Sequence, residues 1–162
     1  MSNFVHLHVH SEYSLLDGAN RIKDLPLRAK ELGMNAIALT DHGVMYGAVN
    51  FYKECIKNDI KPIIGCEVYV APRTRFDKEP NIDNSYAHLI LLAKNKTGYQ
   101  NLIKLVSLSF IDGYYYKPRI DYELLMGLNP KDVVITTACV VGILPQKDLV
   151  LELNDKFKGH FF

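Results

Sequence analysis

Ala36-Ile37-Ala38-Leu39-Thr40, closed by the turn Asp41-His42-Gly43, is the stretch on which the fold depends. A short, nearly continuous apolar run before a glycine turn reads as a strand buried on both faces. A helical rhythm follows over residues 46–57, where Ala48, Phe51, Tyr52, Cys55 and Ile56 recur at i, i+3, i+4, i+7 and i+8. That spacing makes Cys55 a core residue. Residues 62–70 are a further apolar strand, so the three segments form one strand-helix-strand unit.

The same alternation extends in both directions. Residues 4–10 read as a strand of strict period two, and residues 22–32 as a helix with Ile22, Leu25, Ala29 and Leu32 on one face. Pro26 fits that helix in its first turn if the helix starts near Asp24, and Gly33 stops it. Residues 72–86 form the longest polar, proline-marked loop, and residues 88–93 a fourth strand. Thr97-Gly98-Tyr99-Gln100 fits a capping box that starts a helix with Leu102, Ile103, Val106 and Phe110 on one side. A Tyr-, Lys- and Arg-rich connection leads to a short helix after Asp121, a fifth strand at 133–138 and a last helix over about 143–156. Gly159-His160-Phe161-Phe162 looks like the opening of a sixth strand. Apolar strands separated by helices predict a parallel sheet covered by helices, as a barrel or a doubly wound sheet. A complete barrel of this kind usually takes about 250 residues. The chain, with five visible units, is therefore expected to be cut from something longer.

The 162 residues suffice for one domain with a real core, and the net charge of +1 excludes bulk basicity as a nucleic-acid signal. Three cysteines (Cys55, Cys66 and Cys139) without framework spacing argue for reduced thiols. The N-terminus has no basic region followed by a long apolar stretch, and no run approaches membrane-spanning length. The expectation is a cytoplasmic protein with no membrane partner.

Chemistry gathers around His6-Leu7-His8-Val9-His10. Alternation places these three imidazoles on one face of the first strand. Their polar nitrogens need partners there, and transition metals suit imidazole. Other ligand types fall near strand ends, where ligands collect in parallel α/β folds: His42 after the second strand, Glu67 within the third, and Cys139 after the fifth. His88 sits instead at the beginning of its strand. Cys66 points away from Glu67 by alternation and is assigned to packing. Asp17, before Gly18, is either a turn residue or a ligand, and Asp41 either a ligand or a partner that orients a histidine.

His6-Leu7-His8-Val9-His10-Ser11-Glu12-Tyr13-Ser14-Leu15-Leu16-Asp17-Gly18 and Ala38-Leu39-Thr40-Asp41-His42-Gly43 resemble the polymerase-and-histidinol-phosphatase (PHP) domain. Lys61-Pro62-Ile63-Ile64-Gly65-Cys66-Glu67, Thr97-Gly98-Tyr99-Gln100-Asn101-Leu102 and Lys117-Pro118-Arg119-Ile120-Asp121 narrow the resemblance to the form at the N-terminus of bacterial DNA polymerase III alpha subunits. The resemblance covers nearly the whole chain. It implies a distorted seven-stranded (β/α) barrel, represented by about five units over residues 1–162. It also implies two or three divalent metals (zinc, manganese or iron) on His8, His10, Asp17, His42, Glu67, His88 and Cys139. His6 stands where many members carry aspartate, which leaves it, with Asp41, in a supporting role. The family's late Asp-x-His motif is not matched by Asp148, Asp155 or His160, so the metal site is expected to be incomplete. The function implied is phosphoester hydrolysis, with 3′–5′ exonuclease proofreading inside a DNA-replicating polymerase that binds DNA and other replicase subunits. Arg73, Arg75, Lys117 and Arg119 are candidate contacts to DNA phosphates. Two alternatives stand beside this: a metal-stabilised scaffold without catalysis, and a free-standing phosphatase of the histidinol-phosphate type.

Overall fold

Asp24 and Pro26 start helix α1 (Leu25–Glu31), the proline sitting in the first turn where no N–H is needed. The helix stops at Gly33, whose φ of 74° lets the Met34 N–H return to the Ala29 carbonyl at 2.9 Å. This is the computed structural model of the chain, and it describes residues 4–162. Met1, Ser2 and Asn3, part of the N-terminal reading, lie outside the described residues.

Strand β1 (Ala36–Leu39) is buried throughout and feeds helix α2 (Ala48–Lys57). Ala48, Phe51 and Cys55 face the core, whereas Tyr52 and Ile56, expected on the same face, are about half exposed. Burial pushes the Cys55 thiol up to about 12, which keeps it protonated and inert. Strand β2 (Lys61–Val70), strand β3 (Ala87–Ala93), helix α3 (Lys96–Ile111), strand β4 (Arg119–Ile120), helix α4 (Tyr122–Met126), strand β5 (Val133–Thr136) and helix α5 (Lys147–Lys156) complete the order.

The architecture is α/β, as expected, but the sheet is mixed rather than parallel. Its order is β1-β2-β3-β5, with β4 also paired to β2. β1 and β4 run parallel to β2, whereas β3 runs antiparallel to both β2 and β5. Apolar, β-branched composition marks a strand as buried and says nothing of its direction. The reversal brings the start of β3 to the end of β2, with Tyr69 opposite His88.

Residues 4–10 run beside β1 without forming a regular strand. The His6 and Val9 carbonyls accept from Ala38 and Thr40, but the Val9 N–H donates to the Thr40 hydroxyl at 2.8 Å. Donors two residues apart thus meet acceptors three apart, and the extra residue breaks the register, so the pairing is not continuous. α3 is capped by Asn95, whose side chain accepts from the Gly98 N–H, and not by a box at Thr97. Its buried line is Gly98, Leu102, Leu105 and Ser109, leaving Ile103 and Phe110 partly exposed. β4 falls in the connection read as irregular. α5 starts four residues later than expected, although Ile143 is itself buried in the core. Phe161 pairs in parallel with Ile135, so the last residues do extend the sheet beyond β5.

Alternation along β2 divides core from site. Cys66, Val68 and Val70 join Leu89, Leu91, Leu102, Leu105, Ile120 and Ile135 in the larger core cluster. Glu67 and Tyr69 point the other way. The polar loop over residues 72–86 is held from beneath by the fully buried Arg119. Its guanidinium donates to the carbonyls of Asp83, Asp77, Arg75 and Gly113 at 2.7, 2.8, 3.3 and 3.0 Å. Arg73 hydrogen-bonds Asp83, which brings that carboxyl down to about 2, and also pairs with Glu79. Arg75 pairs with Asp121 and Glu123. Among the described residues, no helix is long and apolar enough to cross a membrane.

Candidate metal centre

Glu67 is the only carboxylate on β2, and it is fully buried. On one edge, the pairing of β1 continues past its end: the Glu67 N–H donates to Asp41 O, and the Gly43 N–H to Glu67 O. This register sets His42 beside Glu67. Gly43 then turns at φ 64°, and a Cβ there would lie 2.9 Å from Pro118 Cγ and 3.0 Å from the Tyr69 ring. On the other edge, antiparallel β3 delivers His88, whose N–H is fixed by the Val141 carbonyl. The position of His88 at the start of its strand, a misfit in a parallel sheet, follows from the strand reversal.

Four imidazoles surround this carboxylate. Oε2 lies 2.9 Å from His8 Nε2, 2.9 Å from His10 Nε2 and 3.3 Å from His42 Nδ1, while Oε1 lies 2.7 Å from His88 Nδ1. His8 and His10 also approach each other, Nε2 to Nε2, at 3.0 Å. Asp17, from the exposed turn after Ser14, reaches His42 Nε2 at 3.2 Å. Cys139 closes the far side, with Sγ 3.4 Å from His88 Nδ1 and 3.7 Å from Glu67 Oε1. Alone, burial would raise the pKa of Glu67. The hydrogen bonds from His10, His8 and His88 outweigh it and hold the carboxylate well below its usual range. Burial opposes charge on His10, yet its bond to Glu67 raises its pKa overall; for His42, burial wins and lowers it.

The donors fit a metal. His8, His10 and Glu67 form one group of converging ligand atoms; His10, Asp17 and His42 form a second; His42, Glu67 and His88 form a third. Buried His10 Nδ1 and His42 Nδ1 have no hydrogen-bond partner, which is expensive for polar nitrogens that no ligand uses. Mixed imidazole and carboxylate donors suit zinc, manganese and iron.

Of the residues expected at the site, His8, His10, Asp17, His42, Glu67, His88 and Cys139 are brought together. His6 is not: it is exposed, packs edge-on against Phe4 and joins none of the three groups. Asp41 supplies none of the converging ligand atoms, and it touches no imidazole directly. Its carboxylate accepts from the Ser11 N–H, the Ser11 hydroxyl and the Ser14 hydroxyl at 2.6, 2.8 and 2.7 Å. Ser14 in turn accepts from the His42 N–H. Asp41 therefore fixes the turn that carries His10 and Asp17. Asp41→Asn, which keeps only one acceptor oxygen for three donors, is expected to destabilise the fold by about 1–3 kcal/mol in chemical denaturation. Ser11 and Ser14 were not singled out from sequence, although serines three apart beside a turn are common backbone-bonding positions. Tyr69 and Tyr86 were also missed. Tyr86 stacks on His88 at 5.8 Å, and Tyr69 lies 6.0 Å from His42. Alternation along β2 already sets Tyr69 on the face of Glu67, whereas Tyr86 arrives only with the strand reversal that brings His88. As DNA contacts, Arg75 and Arg119 are corrected by their burial against internal partners; Arg73, exposed but paired with Asp83 and Glu79, and Lys117 are left.

The PHP domain profile matches residues 6–159. The chain is 55% identical over 144 residues to DNA polymerase III subunit alpha of Treponema pallidum, covering 88% of this chain and 12% of that protein. It is 49% identical over 155 residues to the same subunit of Borreliella burgdorferi, covering 95% and 13%. A putative metal-dependent phosphoesterase structure from Bifidobacterium adolescentis superposes with a TM-score of 0.48 at 14% identity, over 67% of this chain and 34% of that one. The chain thus spans about an eighth of the length of these curated relatives.

Proposed function

Since the chain belongs to the PHP domain family, we propose that it is the metal-bearing phosphoesterase domain of a replicative DNA polymerase III alpha subunit. The ligands assigned to two or three zinc, manganese or iron ions are His8, His10, Asp17, His42, Glu67, His88 and Cys139. The observation that carries this reading is one buried carboxylate ringed by four imidazole nitrogens at 2.7–3.3 Å. The reaction assigned is hydrolysis of a phosphodiester at a DNA 3′ end, in a cytoplasmic replicase with its other subunits as partners.

Divalent metals in such a site supply Lewis-acid stabilisation of a phosphoryl group and lower the pKa of a water molecule. The chain's own residues set where that happens. Glu67, with imidazoles facing both of its oxygens, would hold metal through either oxygen. His8 and His10 define one end, and His88 with Cys139 the other. Asp17, largely exposed, stands on the solvent side of the cluster. The stacked rings of His10 and His42, 4.1 Å apart, keep the two imidazoles in register.

At polymerase length and loaded with Mn²⁺ or Zn²⁺, the protein is expected to shorten 3′-labelled DNA. His8→Ala should abolish this and spare polymerisation. A protein that keeps its metals and polymerises, yet cleaves no DNA, would overturn the hydrolytic assignment. That result would favour the scaffold reading, which has one observation behind it: the donors come from well-separated segments, so a metal would cross-link them. Loss of stability on chelation alone would then be the whole effect.

Metal affinity should also fall with acidification, because a protonated imidazole cannot ligate. Among the imidazoles, His10, with its raised pKa, takes up a proton first as pH falls, and His42, with its lowered pKa, later; the Cys139 thiol, pushed up by burial, is protonated before either. Competition with a chelator at stepped pH should show the first loss above the ordinary histidine value of about 6.5.

A further inference from the structure

Lys117 differs from the arginines of its region. Arg73, Arg75 and Arg119 are tied to carboxylates or carbonyls. The ammonium of the half-buried Lys117 has no ion pair or hydrogen bond among the described residues, and it stands over the face of Tyr69, 5.4 Å from the ring centre. That ring lies 5.2 Å from His88 and 6.0 Å from His42. Its place is built from both sides. Pro118, the next residue, packs against Gly43, and Gly43 directly follows His42. β4 then anchors the segment by pairing Arg119 with Tyr69. An ammonium held without a counter-ion beside a cluster of metal ligands calls for an anion, and the offset through Tyr69 puts the charge next to the centre rather than in it.

Resting on the phosphodiesterase reading above, we infer that Lys117 binds the phosphate neighbouring the one under attack, which makes the site selective for a polynucleotide over a lone phosphoester. A Lys–phosphate contact of this kind positions a strand without reading its bases.

The test uses the metal-loaded protein and three probes: inorganic phosphate, dithymidylate with one phosphorothioate link, and trithymidylate with two, links of this kind resisting cleavage. Wild type is expected to bind the trimer about tenfold or more tighter than the dimer, the scale of one charge-assisted contact. Lys117→Met should erase that preference while leaving inorganic phosphate binding and metal content unchanged, and Lys117→Arg should restore it. An unchanged preference in Lys117→Met would overturn the inference, as would equal weakening of all three probes, which would place the charge on the attacked phosphate. If Lys117→Met fails to fold, Lys117→Arg decides: with metal retained, loss of the preference overturns the inference, and its retention supports it. Wild type that shows the Lys117-dependent preference but cleaves no 3′-labelled DNA would remove the hydrolytic reading and leave this inference standing.

Discussion

Glu67→Gln is expected to strip the centre of its metals and weaken the metal-free fold as well. The amide keeps the shape and replaces one oxygen with a donor, so it meets the N–H groups of His8, His10 and His88 with one acceptor instead of two and without charge. Metal affinity should fall by more than the roughly 100-fold that losing even a supporting partner can cost. Competition with a chelator measures it. Without metal, removing the anion from a buried ionic cluster should destabilise the fold by about 3 kcal/mol. The pH dependence gives a second check. The Glu67 pKa is depressed in the fold, so its stabilisation is complete above the unfolded value of about 4.3 and is lost as pH falls below it. The gap in stability between wild type and Glu67→Gln should therefore narrow under acid. A gap that stays constant would mean that the carboxylate is not the anchor of the histidines.

Arg119→Met should have the second large effect, and for an unrelated reason. The guanidinium is fully buried and satisfies four backbone carbonyls, three of them in the loop at residues 72–86. Methionine fills the volume and leaves the three loop acceptors without donors, while Gly113 keeps the backbone N–H of residue 119, a loss of about 3–5 kcal/mol in urea denaturation. Arg119→Lys should rescue little, since one ammonium cannot reproduce the planar fork. Limited proteolysis should find the new cut sites within residues 72–86. A variant as stable as wild type would mean that the loop holds itself.

Much of the fold was legible in sequence, and the failures have identifiable physical origins. The patterns at Ala36–Leu39 and Lys61–Val70 are dictated by burial, and burial is what an apolar run records. Strand direction is not written there, which is why β3 was read the wrong way round. β4 escaped notice because its two residues include an arginine, buried only by virtue of the carbonyls above it. At the site, ligand chemistry was legible because so many imidazoles cannot share a buried face without a partner. Charge partners were not. Sequence shows that Arg73, Arg75 and Arg119 are cationic, but whether a cation is free depends on loops brought in from elsewhere in the chain. Asp41 shows the same limit, since its three donors lie about thirty residues away.

The strand reversal that brings His88 to Glu67 bears on the order of events in folding. The donor contacts reach across 59 residues from His8 to Glu67 and 72 from Glu67 to Cys139. Contacts of such long range carry a large loop-closure cost and form slowly. No short segment of the chain can assemble a full ligand set, so metal cannot act as an early nucleus. In stopped-flow refolding with a metal-sensitive dye, capture should lag behind the recovery of helical signal and coincide with the final formation of the β2–β3 pair.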